Sequence, residues 1–212
     1  MRFRSTAVHL AACAALGLAA APGAHAEGLL GKRYASALIG QVITGDSDLR
    51  DYDQTYLALE GRVNVPVTEH VDAGLRYGRE TLDGSHNGVD LKETEQTFLG
   101  EATYHMPGHS ERVDPFLRAR AGLVRTRTEE DSASDTSNDL ALGVAVGADI
   151  EVGERAAVAP ELAYRVVDDN GELLAGAEAN YWLSERAFLL AKAEYRSDQG
   201  DVGYFAGGGF HF

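Results

Sequence analysis

The chain has 212 residues and a formal charge of −14, from 33 Asp and Glu against 19 Lys and Arg. That acidity repels phosphate backbones and argues against nucleic-acid binding. The overall hydropathy is negative, and no stretch beyond residue 26 is apolar and long enough for a membrane helix.

The first 26 residues read as an export signal. Arg2 and Arg4 give a positive start, an Ala/Leu-rich run follows, and Ala24-His25-Ala26 forms an A-x-A cleavage site. The run is too short and too rich in alanine for a strong spanning anchor. Leu10-Ala11-Ala12-Cys13 resembles a lipoprotein cleavage box, but only eight residues separate Arg4 from Cys13, His9 interrupts them, and the apolar run continues past the cysteine. Cleavage after Ala26 gives residues 1–26 as leader and 27–212 as one domain beginning at Glu27. Cys13 is the single cysteine, so the mature chain would carry no disulfide and no thiolate metal site. Arg2 and Arg4 are the only charged residues of the leader, and losing them makes the remainder more acidic still.

Beyond the leader the dominant signal is a period of two. In residues 56–65, Leu57, Leu59, Gly61, Val63 and Val65 alternate with Tyr56, Ala58, Glu60, Arg62 and Asn64. Residues 71–80 set Val71, Ala73, Leu75 and Tyr77 against Asp72, Gly74, Arg76, Gly78 and Glu80, and residues 140–151 repeat the pattern. The same test along the chain predicts strands at 32–43, 55–66, 70–81, 94–106, 114–126, 139–151, 156–167, 172–183, 186–196 and 202–212. About ten residues at ~3.3 Å each, tilted near 45°, cover on the order of 23 Å of membrane normal. The expected fold is all-β, a closed antiparallel up-and-down transmembrane barrel of ten strands. Eight is the alternative, if 32–43 and 172–183 are irregular.

The connections alternate between long acidic segments, 44–54, 82–93 and 127–138, and tight ones such as 152–155 and 183–186. Long loops belong outside the cell and short turns in the periplasm. In that register the aromatic residues sort into two rings. Tyr77, Phe98, Tyr164, Tyr195 and Tyr204 fall at the outer end, and Tyr34, Tyr104, Tyr181, Phe210 and Phe212 at the periplasmic end, where amphipathic rings favour the interfaces. Pro115 and Pro160 each delete a ladder hydrogen bond near a strand start, which a bulge or late strand onset would absorb.

Gly207, Phe210 and Phe212 in the terminal GYFAGGGFHF resemble the C-terminal recognition strand of outer-membrane proteins, with Phe205 where that pattern prefers a polar residue. With the leader and the alternation, the mature chain resembles the small Gram-negative outer-membrane barrels, including opacity-type and OmpX-like proteins. The resemblance implies residence in the bacterial outer membrane, contact with its lipid and lipopolysaccharide, and engagement of the assembly machinery through the last strand.

The inward register collects Glu60, Arg62, Arg76, Glu101, Arg118, Arg120, Glu161, Arg165, Glu178, Lys192 and Glu194, interspersed with glycines. Charges of both signs in a narrow lumen would have to interlock, because desolvating them singly is costly. The expected role of this set is an ion-pair plug that holds the barrel's shape, with a narrow polar pore as the alternative. His86, His105, His109, Ser110 and His211 form no nucleophile, base and acid set by spacing, and read as solvated turn residues. Asp46, Asp48, Asp51 and Asp53, with Glu129, Glu130, Asp131 and Asp135, could gather weak divalent cations but lack a glycine-punctuated binding loop; a solvated acidic face is the simpler reading. The functional expectation is a non-enzymatic barrel without cofactors, serving a structural, envelope-stabilising or surface-interaction role. A diffusion channel is the second reading and a surface enzyme acting on lipid or peptide the third.

Overall fold

The computed structural model describes residues 28–46, 55–86, 89–106, 112–130 and 133–212. Ten strands follow in order: β1 Tyr34–Ile43, β2 Thr55–Thr68, β3 Val71–His86, β4 Val89–His105, β5 Val113–Glu130, β6 Ala133–Glu151, β7 Ala156–Val167, β8 Asn170–Trp182, β9 Ala187–Arg196 and β10 Asp201–His211. Each pairs antiparallel with its chain neighbours, and β10 returns to β1 to close the ring. The segments whose regularity decided between eight and ten strands, β1 and β8, are both continuous. One rim carries Gly28 and Phe212 and is called here the terminal rim; the other, capped by the β3–β4 and β5–β6 hairpins, is the hairpin rim.

Two segments expected as long loops, 82–93 and 127–138, are strand throughout their described residues. β3 and β4 stay in register to His86↔Val89, and β5 and β6 to Glu130↔Ala133. Acidity suggested loops there, yet the alternation persists. Leu82 and Leu91 turn inward and are buried, while Asp83 lies opposite Lys92, an opposite-charge pair suited to a water-exposed ladder. At the β7–β8 connection Asp168 and Asp169 both have positive φ, 45° and 67°, between Val167 and its partner Asn170. A two-residue hairpin turn of this hand matches the twist of its strands, and Asp tolerates the conformation better than most residues.

The prolines are accommodated differently from one another. Pro115 lies just past the end of the β4–β5 ladder, where its carbonyl accepts from Met106 N at 2.9 Å and only the reciprocal bond is lost. Pro160 involves neither a bulge nor a late onset. The β6–β7 ladder skips from Gly147↔Glu161 to Ile150↔Val158 without changing register. The bulge falls instead in β2, between Pro66 and Thr68.

Outward side chains form an apolar band: Leu75 is 69 % exposed, Val144 61 % and Leu140 59 %. A band this continuous around a closed ring suits hydrocarbon rather than water. The described residues contain no helix long and apolar enough to cross a membrane; the strands are what would cross. The seam that closes the ring depends on Gly207, since a Cβ there would lie 2.0 Å from the Ala37 carbonyl oxygen of β1. Only glycine permits that approach.

Candidate functional site

The pleat sends alternate residues into the lumen, and the mixed charges meet there as ion pairs. Glu60 on β2 is the hub. Its carboxylate accepts from Arg62 Nε at 2.5 Å, Arg76 Nη2 at 2.6 Å and Lys192 Nζ at 2.9 Å. Arg62 reaches on to Glu178 on β8 at 2.8 Å, and Lys192 to Glu194 at 2.7 Å. A second cluster joins Arg118 and Arg120 to the two oxygens of Glu161, at 2.6 and 2.7 Å, with Arg120 also 2.8 Å from Glu101. Towards the hairpin rim, Arg165 pairs with Glu172, and Arg196 with Glu80 and Glu194.

These pairs cross the lumen as well as lining it. β2 and β9, joined by Glu60–Lys192, are three strands apart around the ring; β2 and β8, joined by Arg62–Glu178, are four. Seven carboxylates meet seven cations in these pairs, so the network is neutral although the chain is strongly acidic. A cavity of about 90 Å³ lies on the terminal side and one of about 60 Å³ on the hairpin side, and Arg76, Arg120 and Glu194 border both.

All eleven inward residues expected from the sequence point into the lumen and take part in these pairs. Glu80, Arg196 and Glu172 belong to the same network and were missed, although Glu80 and Arg196 continue the alternation of β3 and β9. The larger omission is an apolar sector: Tyr34, Leu38, Val42, Trp182, Phe188, Leu190 and Phe205 are buried on the inside of β1, β8, β9 and β10. Tyr34 was expected in the outward ring at the terminal rim. It faces inward and meets Phe188 edge-on, because the β1 register sends Ile39 and Ile43 outward. β1 is apolar on both faces, so alternation alone does not fix its register. Phe205, which departs from the polar preference of the terminal motif, lies under Lys192 Nζ at 4.7 Å from its ring centre, a cation–π contact. Phe210 and Phe212 face outward at the terminal rim.

The chain before β1 enters the terminal mouth. Leu29 is buried and donates its N–H to Asp149 at 2.9 Å; Gly31 donates to Asp72 at 2.9 Å, and Asn64 holds the Lys32 carbonyl at 2.9 Å. His105 Nε2 lies 3.0 Å from the same Asp72 carboxylate, and His211 stacks edge-on against Trp182 at 5.5 Å. These two histidines are therefore held by the rim rather than solvated in turns. The side chain of His86, together with His109 and Ser110, lies outside the described residues. So do Asp48, Asp51, Asp53 and Asp131 of the acidic segments and the whole leader. Glu129 pairs with Arg127 at 2.6 Å, and among the described residues no cluster of three or more His, Cys, Asp or Glu is arranged to hold a metal. Beyond the apolar band at the hairpin rim, Tyr56 donates to Glu93 at 3.1 Å; burial and neighbouring carboxylates raise the Glu93 pKa above the ordinary carboxylate range.

A closed strand ring, apolar outside and filled with paired charge inside, defines a transmembrane β-barrel. Residues 11–191 match the family described as outer membrane protein beta-barrel domain, and the chain belongs to that family, whose place is the bacterial outer membrane. Among solved structures it is similar to the translocator domain of the autotransporter NalP from Neisseria meningitidis, at TM-score 0.50 and 12 % identity over 97 % of this chain and 95 % of that one. The NanC porin is similar at TM-score 0.51 and 9 % identity, over 84 % and 100 %. At such identities the likeness is one of fold. No curated protein matches the sequence.

Proposed function

We propose that this chain is a non-enzymatic, non-conducting barrel that stabilises the outer membrane and presents its hairpin rim at the cell surface. The observation carrying the proposal is the set of ion pairs that cross the lumen, led by Glu60–Lys192 and Arg62–Glu178. A diffusion channel needs a continuous wet path, and these side chains stand across it. Their neutrality also removes the field that would draw one sign of ion inward. The extended hairpins β3–β4 and β5–β6 lie outside the cell in this reading, the leader 1–26 is cleaved on export, and β10 with Gly207, Phe210 and Phe212 is the strand the assembly machinery recognises. The acidic segments act as a solvated face.

The test is a deletion strain challenged with detergent and with large apolar antibiotics that an intact outer membrane excludes. Loss of the chain is expected to raise sensitivity. Wild type should restore the barrier, and so should a variant without the terminal-rim histidines, H70A/H105A/H211A, provided it folds. Unchanged sensitivity on deletion would oppose the envelope role; rescue that fails in the folded histidine variant would favour an enzyme.

The two tandem cavities favour a second reading, a narrow channel whose gate is the layer of Arg76, Arg120 and Glu194 between them. Uptake of small solutes by proteoliposomes would support it, with the rate altered by Arg120→Ala. Sealed proteoliposomes would support the closed barrel.

A further inference from the structure

The outward faces of β3, β4 and β5 change character within a single step of the pleat. One cross-strand row runs Tyr77, Phe98, Leu123 and Leu140; Tyr77 and Phe98 stack at 4.8 Å, and the other two are more than half exposed. The next outward row towards the hairpin rim runs Arg79, Gln96, Arg125 and Asn138. Arg127 stands in the row above, and Lys92 and Glu129 in the row after that. Each step is two residues, about 7 Å along the strand. The last apolar row thus marks the hydrocarbon boundary, and the arginines begin where a headgroup layer would.

Four cations and one carboxylate line the space between these rows, with Asp83 beside it across from Lys92, an unexpected balance on so acidic a chain. Arg127 is compensated by Glu129, but Arg79, Lys92 and Arg125 form no ion pair among the described residues. Together with Gln96 they line a cleft of about 260 Å³ on the outside of the barrel. Interior arginines of this protein are all matched by carboxylates; here Arg79 and Arg125 have no such partner, while Lys92 stands between Asp83 and Glu129 in the ladder, and the site opens sideways toward the plane of the membrane.

We propose that this cleft binds the phosphate groups of a phosphorylated glycolipid in the outer leaflet, with Arg79 and Arg125 as the primary ligands. Guanidinium forks suit phosphate oxygens, giving two parallel charge-assisted hydrogen bonds each. Arg127 and Lys92 add charge above them, and Gln96 adds a neutral donor between the two arginines. The position of the row fixes the source: a lipid whose acyl chains lie against Tyr77, Phe98 and Leu123 brings its headgroup phosphate to this height, whereas a soluble anion gains nothing from that apolar row. The inference rests on the outer-membrane placement with the hairpin rim outside.

The experiment titrates the detergent-solubilised full chain with lipid A carrying its phosphates, with enzymatically dephosphorylated lipid A, and with inorganic phosphate. Wild type is expected to bind the phosphorylated lipid roughly tenfold or more tightly than the dephosphorylated one, with the difference shrinking as salt rises. R79A/R125A should abolish that preference, and Glu129→Gln, which frees Arg127, should strengthen it. Because these side chains point away from the lumen, both variants should keep the heat-dependent electrophoretic shift of a folded barrel. Equal affinity for the two lipids in wild type, or an unchanged preference in folded R79A/R125A, would overturn the proposal. Inorganic phosphate binding as tightly as the lipid would also overturn it, in favour of a soluble-anion site. A wild type without the heat shift would instead point to failure of the barrel reading itself.

Discussion

Arg62 on β2 stands 2.8 Å from Glu178 on β8, four strands around a ring of ten, so one ion pair braces nearly opposite walls. Both side chains are largely buried, and removing one partner of a buried pair leaves a charge without compensation. Glu178→Gln should destabilise the barrel by about 3 kcal/mol, and Glu60→Gln by more, because three cations converge on Glu60. Urea titration of the heat-shifting form checks this. The double variant R62M/E178Q should recover much of the loss, since an uncharged pair carries no unpaired charge.

The seam makes a sharper prediction. At Gly207 a Cβ would meet the Ala37 carbonyl oxygen at 2.0 Å and Leu38 Cα at 2.8 Å, both backbone atoms that cannot swing aside. Gly207→Val should prevent β10 from docking on β1. The expected outcome is loss of the heat-dependent shift and degradation of the chain before it reaches the outer membrane.

Strand count, ring topology and the inward charges were legible because charge alternates with apolar residues along β2, β3, β5 and β9, and small residues with large apolar ones along β6. Which face of β1 points inward was not, because Leu38 and Val42 on one face are as apolar as Ile39 and Ile43 on the other, and Tyr34 was assigned outward in consequence. The acidic segments 82–93 and 127–138 misled differently. Above a membrane both faces of a strand touch water, so Asp83, Lys92 and Glu129 can occupy a ladder that composition assigns to a loop. The entry of Leu29 into the terminal mouth has no periodic signature; it depends on Asp72 and Asp149, far away in the chain.

At the β7–β8 turn, Asp169 has a φ of 67°, in the left-handed region. Asp169→Val places a β-branched side chain there and should cost about 1–3 kcal/mol. Asp169→Gly should be close to neutral or slightly stabilising, because the turn type favours glycine at its second position. Paired urea titrations of the two variants distinguish turn strain from a general intolerance of substitution.

Glu93 predicts a pH dependence. Burial is the main cause that lifts its pKa in the folded barrel above the ordinary 4.5, with Glu95, Asp46 and Asp201 adding repulsion. The folded state therefore holds its proton to higher pH than the unfolded chain does, and this contribution to stability is lost as pH rises from 4.5 through the folded value. Glu93→Gln should remove that part of the decline, gaining relative to wild type at neutral pH and little at acid pH. Parallel slopes for the two proteins would contradict it.

Planar-bilayer recording of the purified full chain tests the sealed lumen most directly. Wild type is predicted to give no stepwise conductance, while R62A/E178A, folded by the heat-shift criterion, should give small openings as the brace between β2 and β8 is lost. Steady conductance from wild type, unchanged when the crossing pairs are removed, would contradict the account.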